Sequence, residues 1–280
     1  MRLQARQEAT TSIAATTTSG NASAIASSTG SGSLSTATAT TASTLPTPFD
    51  SFMNNNFTVS SCPVFFQSFL NNATFQKCTP LSLLLQTSNS FFAAEKSLVL
   101  LTQTLEASCN VDYRLCSSVM ASLAQDIQLG SNCAADLSFQ NPVVEMALNG
   151  FLAYDPLYHA GCLTDSGGNY CFANAVTNAS APTGGYIYYL PLGVQLPAGT
   201  RPTCDTCLKN TMSVFAAASS NNSVPLSGDY TSAAAQVDGF CGSSFAQASV
   251  TTTNAASSLA ARPLGLSIIP LIAALLTFIV

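Results

Sequence analysis

The chain has 280 residues and a formal net charge of −5, and only 8% of its residues are charged, against about 25% in an ordinary globular protein. It holds ten Cys, one His and no Trp. A nucleic-acid binder needs a basic footprint and a coiled coil needs charged flanking positions, so both are excluded. So many cysteines are also rare in a cytosolic enzyme.

The first eight residues, Met1 to Glu8, carry basic groups but no apolar run. The leader that a secreted chain requires is therefore expected to lie outside this sequence. From Thr10 to Thr44, 20 of 35 residues are Ser or Thr, with no aromatic residue and only Ile13, Ile25 and Leu34 as larger apolar ones. Burial there could not offset the entropy of ordering, so residues 1–45 are expected to be a disordered stalk.

All ten cysteines fall between Cys62 and Cys241. The folded domain is placed at 46–245, a normal single-domain size. It is expected to be mainly α: one disulfide-stapled helical domain with a short extended or β segment. Cys62-Pro63 opens the first helix, with Pro63 at its first position, and Thr79-Pro80 opens one over Leu81–Gln86. From Phe91 to Leu105 a single helix is expected, with Ala94, Leu98, Leu101 and Leu105 on one face. Cys116, Val119, Met120, Leu123 and Ile127 form the next stripe. Asn141-Pro142 caps a helix with Val143, Val144, Ala147 and Phe151 inward, ended by Asp155-Pro156. Tyr186–Leu190 is aromatic and β-branched, so it reads as a short strand or extended segment. Thr203 is expected to cap a helix with Cys204, Cys207, Leu208, Met212 and Phe215 on one stripe. Tyr230, Ala234, Val237 and Cys241 mark the last.

The even cysteine count suits five bridges in an oxidising compartment: Cys62, Cys78, Cys109, Cys116, Cys133, Cys162, Cys171, Cys204, Cys207 and Cys241. Two local pairs are expected, Cys162 with Cys171 around a Gly-rich loop and Cys109 with Cys116 across a short helix connection. Sequons at Asn21, Asn56, Asn72, Asn178 and Asn221 agree with a secretory route. Asn221 is the weaker of these because Asn222 crowds the motif.

After the domain, residues 246–262 form a linker of small residues, and 263–280 an uncharged tail with Pro263 and Pro270. Small residues, a spacer of about ten residues and a terminal apolar run are the arrangement of a glycosylphosphatidylinositol (GPI) signal. Asn254 is the expected attachment residue. A tail-embedded transmembrane helix is the rival, but it needs about 20 apolar residues and flanking basic ones.

Few residues suggest chemistry. Cys204-Asp205-Thr206-Cys207 has redox spacing at a helix start, yet no preceding βα unit accompanies it, and two structural bridges to different partners are expected. With one His, no metal or cofactor is called for. A hydrolase triad would have to use His159, and no nucleophile elbow is visible; the expectation is a loop histidine packed beside a disulfide. Glu145, Asp155 and Asp126 are the only carboxylates placed to serve a glycosidase. Tyr186, Tyr188 and Tyr189, with Tyr154 and Tyr158, either stack on a sugar or pack the core.

Several motifs recur in order: Phe57-Thr58, Ser60-Ser61-Cys62-Pro63, Thr74-Phe75 with Cys78 and Pro80, Ser82 to Gln86, Asn141-Pro142-Val143, Ala153-Tyr154 with Pro156, Tyr158 and Cys162, Tyr170-Cys171-Phe172, Tyr189 to Gly193, and Pro202 with Cys204 and Cys207. In these the chain resembles a family of fungal secreted proteins defined by a domain of unknown function, over about Asn55 to Gly242. The resemblance implies a fungal source, a surface location, a cysteine-bridged fold and common GPI anchoring, with no catalytic residues to transfer. The expected protein is a non-enzymatic fungal cell-surface glycoprotein, at the plasma membrane or cell wall, with a structural or adhesive role. Its partners would be the membrane, through the anchor or tail, and cell-wall glycans, with no nucleic acid. A glycan- or ligand-binding module and a wall-remodelling hydrolase are the alternatives.

Overall fold

A computed structural model of the protein describes residues 44–51 and 56–248. The expected stalk, Asn21, Asn254 and the apolar tail lie outside the described residues, apart from the stalk's last two residues, Thr44 and Leu45. Among the described residues the chain forms twelve α-helices and one 3-10 helix. An isolated antiparallel bridge pairs Thr164 with Tyr170.

The first half comprises α1 (Ser61–Leu70), α2 (Ala73–Cys78), α3 (Leu81–Thr87), α4 (Asn89–Ala94), α5 (Leu98–Cys109) and α6 (Tyr113–Asp126). Then come α7 (Ala134–Ser138), α8 (Pro142–Leu152), α9 (Tyr154–Gly161) and α10 (Cys171–Thr177). The 3-10 helix (Gly184–Leu192), α11 (Thr206–Ser219) and α12 (Leu226–Cys241) complete the order.

Short polar side chains start many of these helices by accepting the orphan N–H groups of the first turn. Asn72, Ser88, Ser97, Asp112, Asn141 and Asp205 each do so. Ser97 explains one departure from expectation. The run Phe91–Leu105 is two helices, because Ser97 accepts the N–H of Leu100 and starts α5 afresh. Leu98 is consequently 59% exposed instead of facing inward with Leu101 and Leu105. Pro63 stands third in α1, not first. Asp155-Pro156 does not end a helix; it lies in the first turn of α9, where the missing N–H of a proline is tolerated. Asp205, not Thr203, caps α11.

The segment expected to be extended is the 3-10 helix. Ile187, Tyr188, Leu190, Pro191 and Leu192 are all buried there, against α8, α9, α10 and α12. No neighbouring strand offers a ladder at this place, so the backbone satisfies itself through local hydrogen bonds. Gly193, at φ +76°, closes it in the left-handed conformation.

Two hydrophobic clusters fill the interior. One gathers Phe49, Phe65, Phe66, Phe69, Phe75, Met120, Val144 and Phe151. The other gathers Leu84, Phe91, Leu101, Leu157, Phe172, Tyr188, Met212, Phe215 and Tyr230. Helix α3 serves both, with Leu83 in the first and Leu81, Leu84 and Leu85 in the second. It is therefore buried almost all round, Ser82 and Thr87 included, as a central helix must be. Gly150 of α8 lets it come close: a Cβ there would overlap Leu83 Cδ2 and stand 3.3 Å from the Ser82 carbonyl oxygen.

Five bridges hold the helices: Cys62–Cys133, Cys78–Cys116, Cys109–Cys162, Cys171–Cys207 and Cys204–Cys241. They join residues 36 to 71 apart in sequence, which by loop entropy stabilises the fold by about 4 kcal/mol each. Both expected local pairs are overturned. Cys116 lies on the inward stripe of α6 beside Met120, in the first cluster, and meets Cys78 of α2. Cys109 ends α5, whose Leu101 and Leu105 face the second cluster, and meets Cys162. The loop between Cys162 and Cys171 needs no bridge of its own. The Asp165 carboxylate accepts from the backbone N–H groups of Gly167 and Asn169 and from the Asn169 and Asn174 amides. The N–H of Cys171 donates to the Leu163 carbonyl at 2.8 Å. No bridge connects residues up to Cys162 with those from Cys171 on.

Candidate functional site

In the 3-10 helix, side chains three apart eclipse one another. Tyr186 and Tyr189 therefore share an edge, and Tyr188 turns away from both. Tyr188 is core: its ring lies 4.8 Å edge-on to Phe172, and its hydroxyl is 3.2 Å from the Thr211 hydroxyl. Burial pushes its phenol well above the ordinary range. Tyr186 is 45% exposed and Tyr189 is half-buried. The three do not form one stacking surface.

Burial also raises the Tyr189 phenol, and the charge of Glu95 adds to that. Glu95, at the end of α4, is itself pushed by burial from 4.5 to about 7. Sequence reasoning missed this residue. Its only signal was a lone carboxylate between two apolar runs.

A cavity of about 60 Å³ opens beside Tyr188, lined among others by Asn178, Thr203, Asp205, Cys207 and Thr211. It has room for a few waters, well short of the roughly 300–1,000 Å³ of small-molecule sites. A wider depression of about 600 Å³ lies between α11 and the segment after α12, lined by Lys209, Ser213, Asp238 and Phe245. Asp238 is committed there, accepting the N–H of Ala246 at 2.7 Å.

His159 is not in a loop. It stands exposed in the second turn of α9, 4.8 Å from the ring of Tyr113 and 5.5 Å from that of Tyr158. Tyr113 and Tyr158 stack at 4.7 Å, and the Tyr158 hydroxyl donates to the Cys109 carbonyl. Asp155 accepts from the Ser117 hydroxyl at 2.7 Å and from the Tyr113 hydroxyl at 3.2 Å. A hydrolase triad places the imidazole between serine and carboxylate; here Ser117 bonds the carboxylate directly. Ser117 and Asp126 are nine residues apart on α6, roughly 13 Å along the axis. Asp155 and Asp126 thus lie at different levels of that helix, and Glu145 sits half-buried on α8.

Four sequons are described. Asn56, Asn72 and Asn221 are exposed and Asn178 is half-buried. Asn72, Asn178 and Asn221 each accept, through Oδ1, the backbone N–H of the third sequon residue, at 2.8, 2.9 and 3.0 Å. Cys204 and Cys207, despite their redox spacing, pair with different partners, Cys241 and Cys171. Among the described residues no cluster of three His, Cys, Asp or Glu is set to hold a metal ion. No described helix is long and apolar enough to cross a membrane.

Helices short enough to need stapling and five bridges within one chain define a disulfide-held helical domain. The chain belongs to the family described as "Domain of unknown function (DUF7729)", which matches residues 44–250. No curated protein matches the chain, and no solved structure does.

Proposed function

We propose that this is a fungal cell-surface glycoprotein, GPI-anchored at the outer face of the plasma membrane or cross-linked into the wall, with a structural or adhesive role and no catalytic one. The observation that carries the reading is the complete pairing of ten cysteines within one chain. Such a set persists only where thiols are not kept reduced. The sequons and the small-residue linker before the apolar tail point the same way. A bridged helical body beyond a Ser/Thr-rich segment suits a display role at a surface.

The anchor is tested by expressing the chain behind a secretion leader in a fungal host and treating the cells with phosphatidylinositol-specific phospholipase C. The expected result is release of a chain ending at Asn254. Retention of the protein with Leu266–Val280 still in the mature chain overturns the GPI anchor in favour of a membrane-embedded tail.

A further inference from the structure

A secretory route would expose every sequon to the same enzyme, but folding treats them differently. Transfer of a glycan requires a free carboxamide nitrogen on the asparagine. It also requires the hydroxyl residue two positions on to lie beside that nitrogen. At Asn72 the carboxamide oxygen is held by the N–H groups of Thr74 and Phe75, and at Asn221 by that of Ser223. Both residues are exposed, and neither Nδ2 has an acceptor among the described residues. The turn thus fixes the oxygen inward on the sequon and leaves nitrogen as the outer end.

The other two sequons are occupied by the fold. Asn178 makes the same turn with Ser180, but its Nδ2 donates to the Thr203 hydroxyl at 2.9 Å, and the side chain is half-buried at the rim of the Tyr188 cavity. At Asn56 the turn is not made. The N–H of Thr58 goes instead to the fully buried carboxylate of Asp136 at 2.6 Å. The Asn56 carbonyl accepts from the Asn141 amide.

We propose that the folded domain offers Asn72 and Asn221 as open N-glycosylation sites and withholds Asn56 and Asn178. The proposal rests on the secretory reading above. The co-substrate is a polyprenyl-diphosphate-linked oligosaccharide. Nδ2 attacks its anomeric carbon, the N–C bond forms as the C–O bond to phosphate breaks, and the diphosphate leaves with the electron pair. The amide proton passes to the base of the transferring enzyme. At Asn56 and Asn178 this step competes with folding; at Asn72 and Asn221 it does not.

The test compares two forms of the full chain, both free of glycan: one folded with all five bridges, one reduced and unfolded. Each is given purified oligosaccharyltransferase and polyprenyl-diphosphate chitobiose, and modified sites are mapped by mass spectrometry. The folded chain should take sugar at Asn72 and Asn221, with several-fold lower occupancy at Asn56 and Asn178, and the unfolded chain should show no such difference. In the folded chain, Thr203→Val should raise occupancy at Asn178 several-fold and leave Asn72 unchanged. Equal modification of all four sites in the folded chain, or an unmoved Asn178 in the Thr203 variant, overturns the proposal. The secretory reading fails by a separate measurement, namely free thiols in the protein recovered from its own cells.

Discussion

Glu95 is a carboxyl group whose acid–base behaviour is set by its burial. Its carboxyl is raised by burial from 4.5 to about 7. The folded state therefore holds the proton more tightly than the unfolded chain. Its contribution to stability is full below about 4.5 and is lost as the pH rises through about 7. Glu95→Gln, which stays neutral, should match the wild-type melting temperature at pH 4 and exceed it at pH 8. Thermal melts across that range check the sign, and a variant less stable than wild type at pH 8 would contradict it. Asp50 shifts the other way. Partial burial opposes ionisation, but hydrogen bonds from Ser90, Asn89 and Ser51 outweigh it and lower the pKa. That carboxylate ties the segment entering the domain to the start of α4, so its hold weakens only as acid protonates it.

Among the helices, the amphipathic stripes were legible. Val143, Val144, Ala147 and Phe151 of α8, and Tyr230, Ala234 and Val237 of α12, are buried as their spacing predicts. The 3-10 segment was not, because its aromatic and β-branched residues suit a strand and only the absence of a partner strand decides otherwise. Disulfide partners were illegible for a similar reason. Cys109 and Cys116 are neighbours in sequence, but their helices face different clusters, and nothing local records that. The tyrosines suggested as a sugar platform failed to assemble because 3-10 periodicity sends Tyr188 inward. The contact of α8 with α3 carries a prediction. Gly150→Ala should destabilise by about 1–3 kcal/mol in urea titration, since the new methyl overlaps buried Leu83. In the first turn of α12, a methyl added at Gly228 would meet nothing within 4 Å. There the alanine variant should gain about 0.5–1 kcal/mol.

For the whole molecule, burial sets the order in which the bridges yield. Cys62, Cys78, Cys116, Cys133, Cys171 and Cys207 are buried, whereas Cys204 is exposed and Cys241 half-buried. Graded reduction under native conditions should open Cys204–Cys241 first and leave Cys62–Cys133 and Cys78–Cys116 to the end. Alkylation of the released thiols and peptide mapping read this order directly. Release of Cys62 or Cys78 before Cys204 would show that local opening, not exposure, controls access.

The arrangement of the bridges also fixes what a single cut can do. The pairs 62–133, 78–116 and 109–162 interlock, as do 171–207 and 204–241, so backbone cleavage inside either group leaves its pieces tethered. Between Cys162 and Cys171 the peptide chain is the sole covalent link. Ser166, Gly167, Gly168 and Asn169 are exposed there, the kind of loop tip at which proteases nick. A nicked molecule would run as two species on a non-reducing denaturing gel. In native buffer it would still migrate as one, because Phe91 and Leu157 from one half share a core with Phe172, Tyr188 and Phe215 from the other. At a surface, one cut in this loop would leave the protein looking intact until the shared core is loosened, and would then shed an entire half.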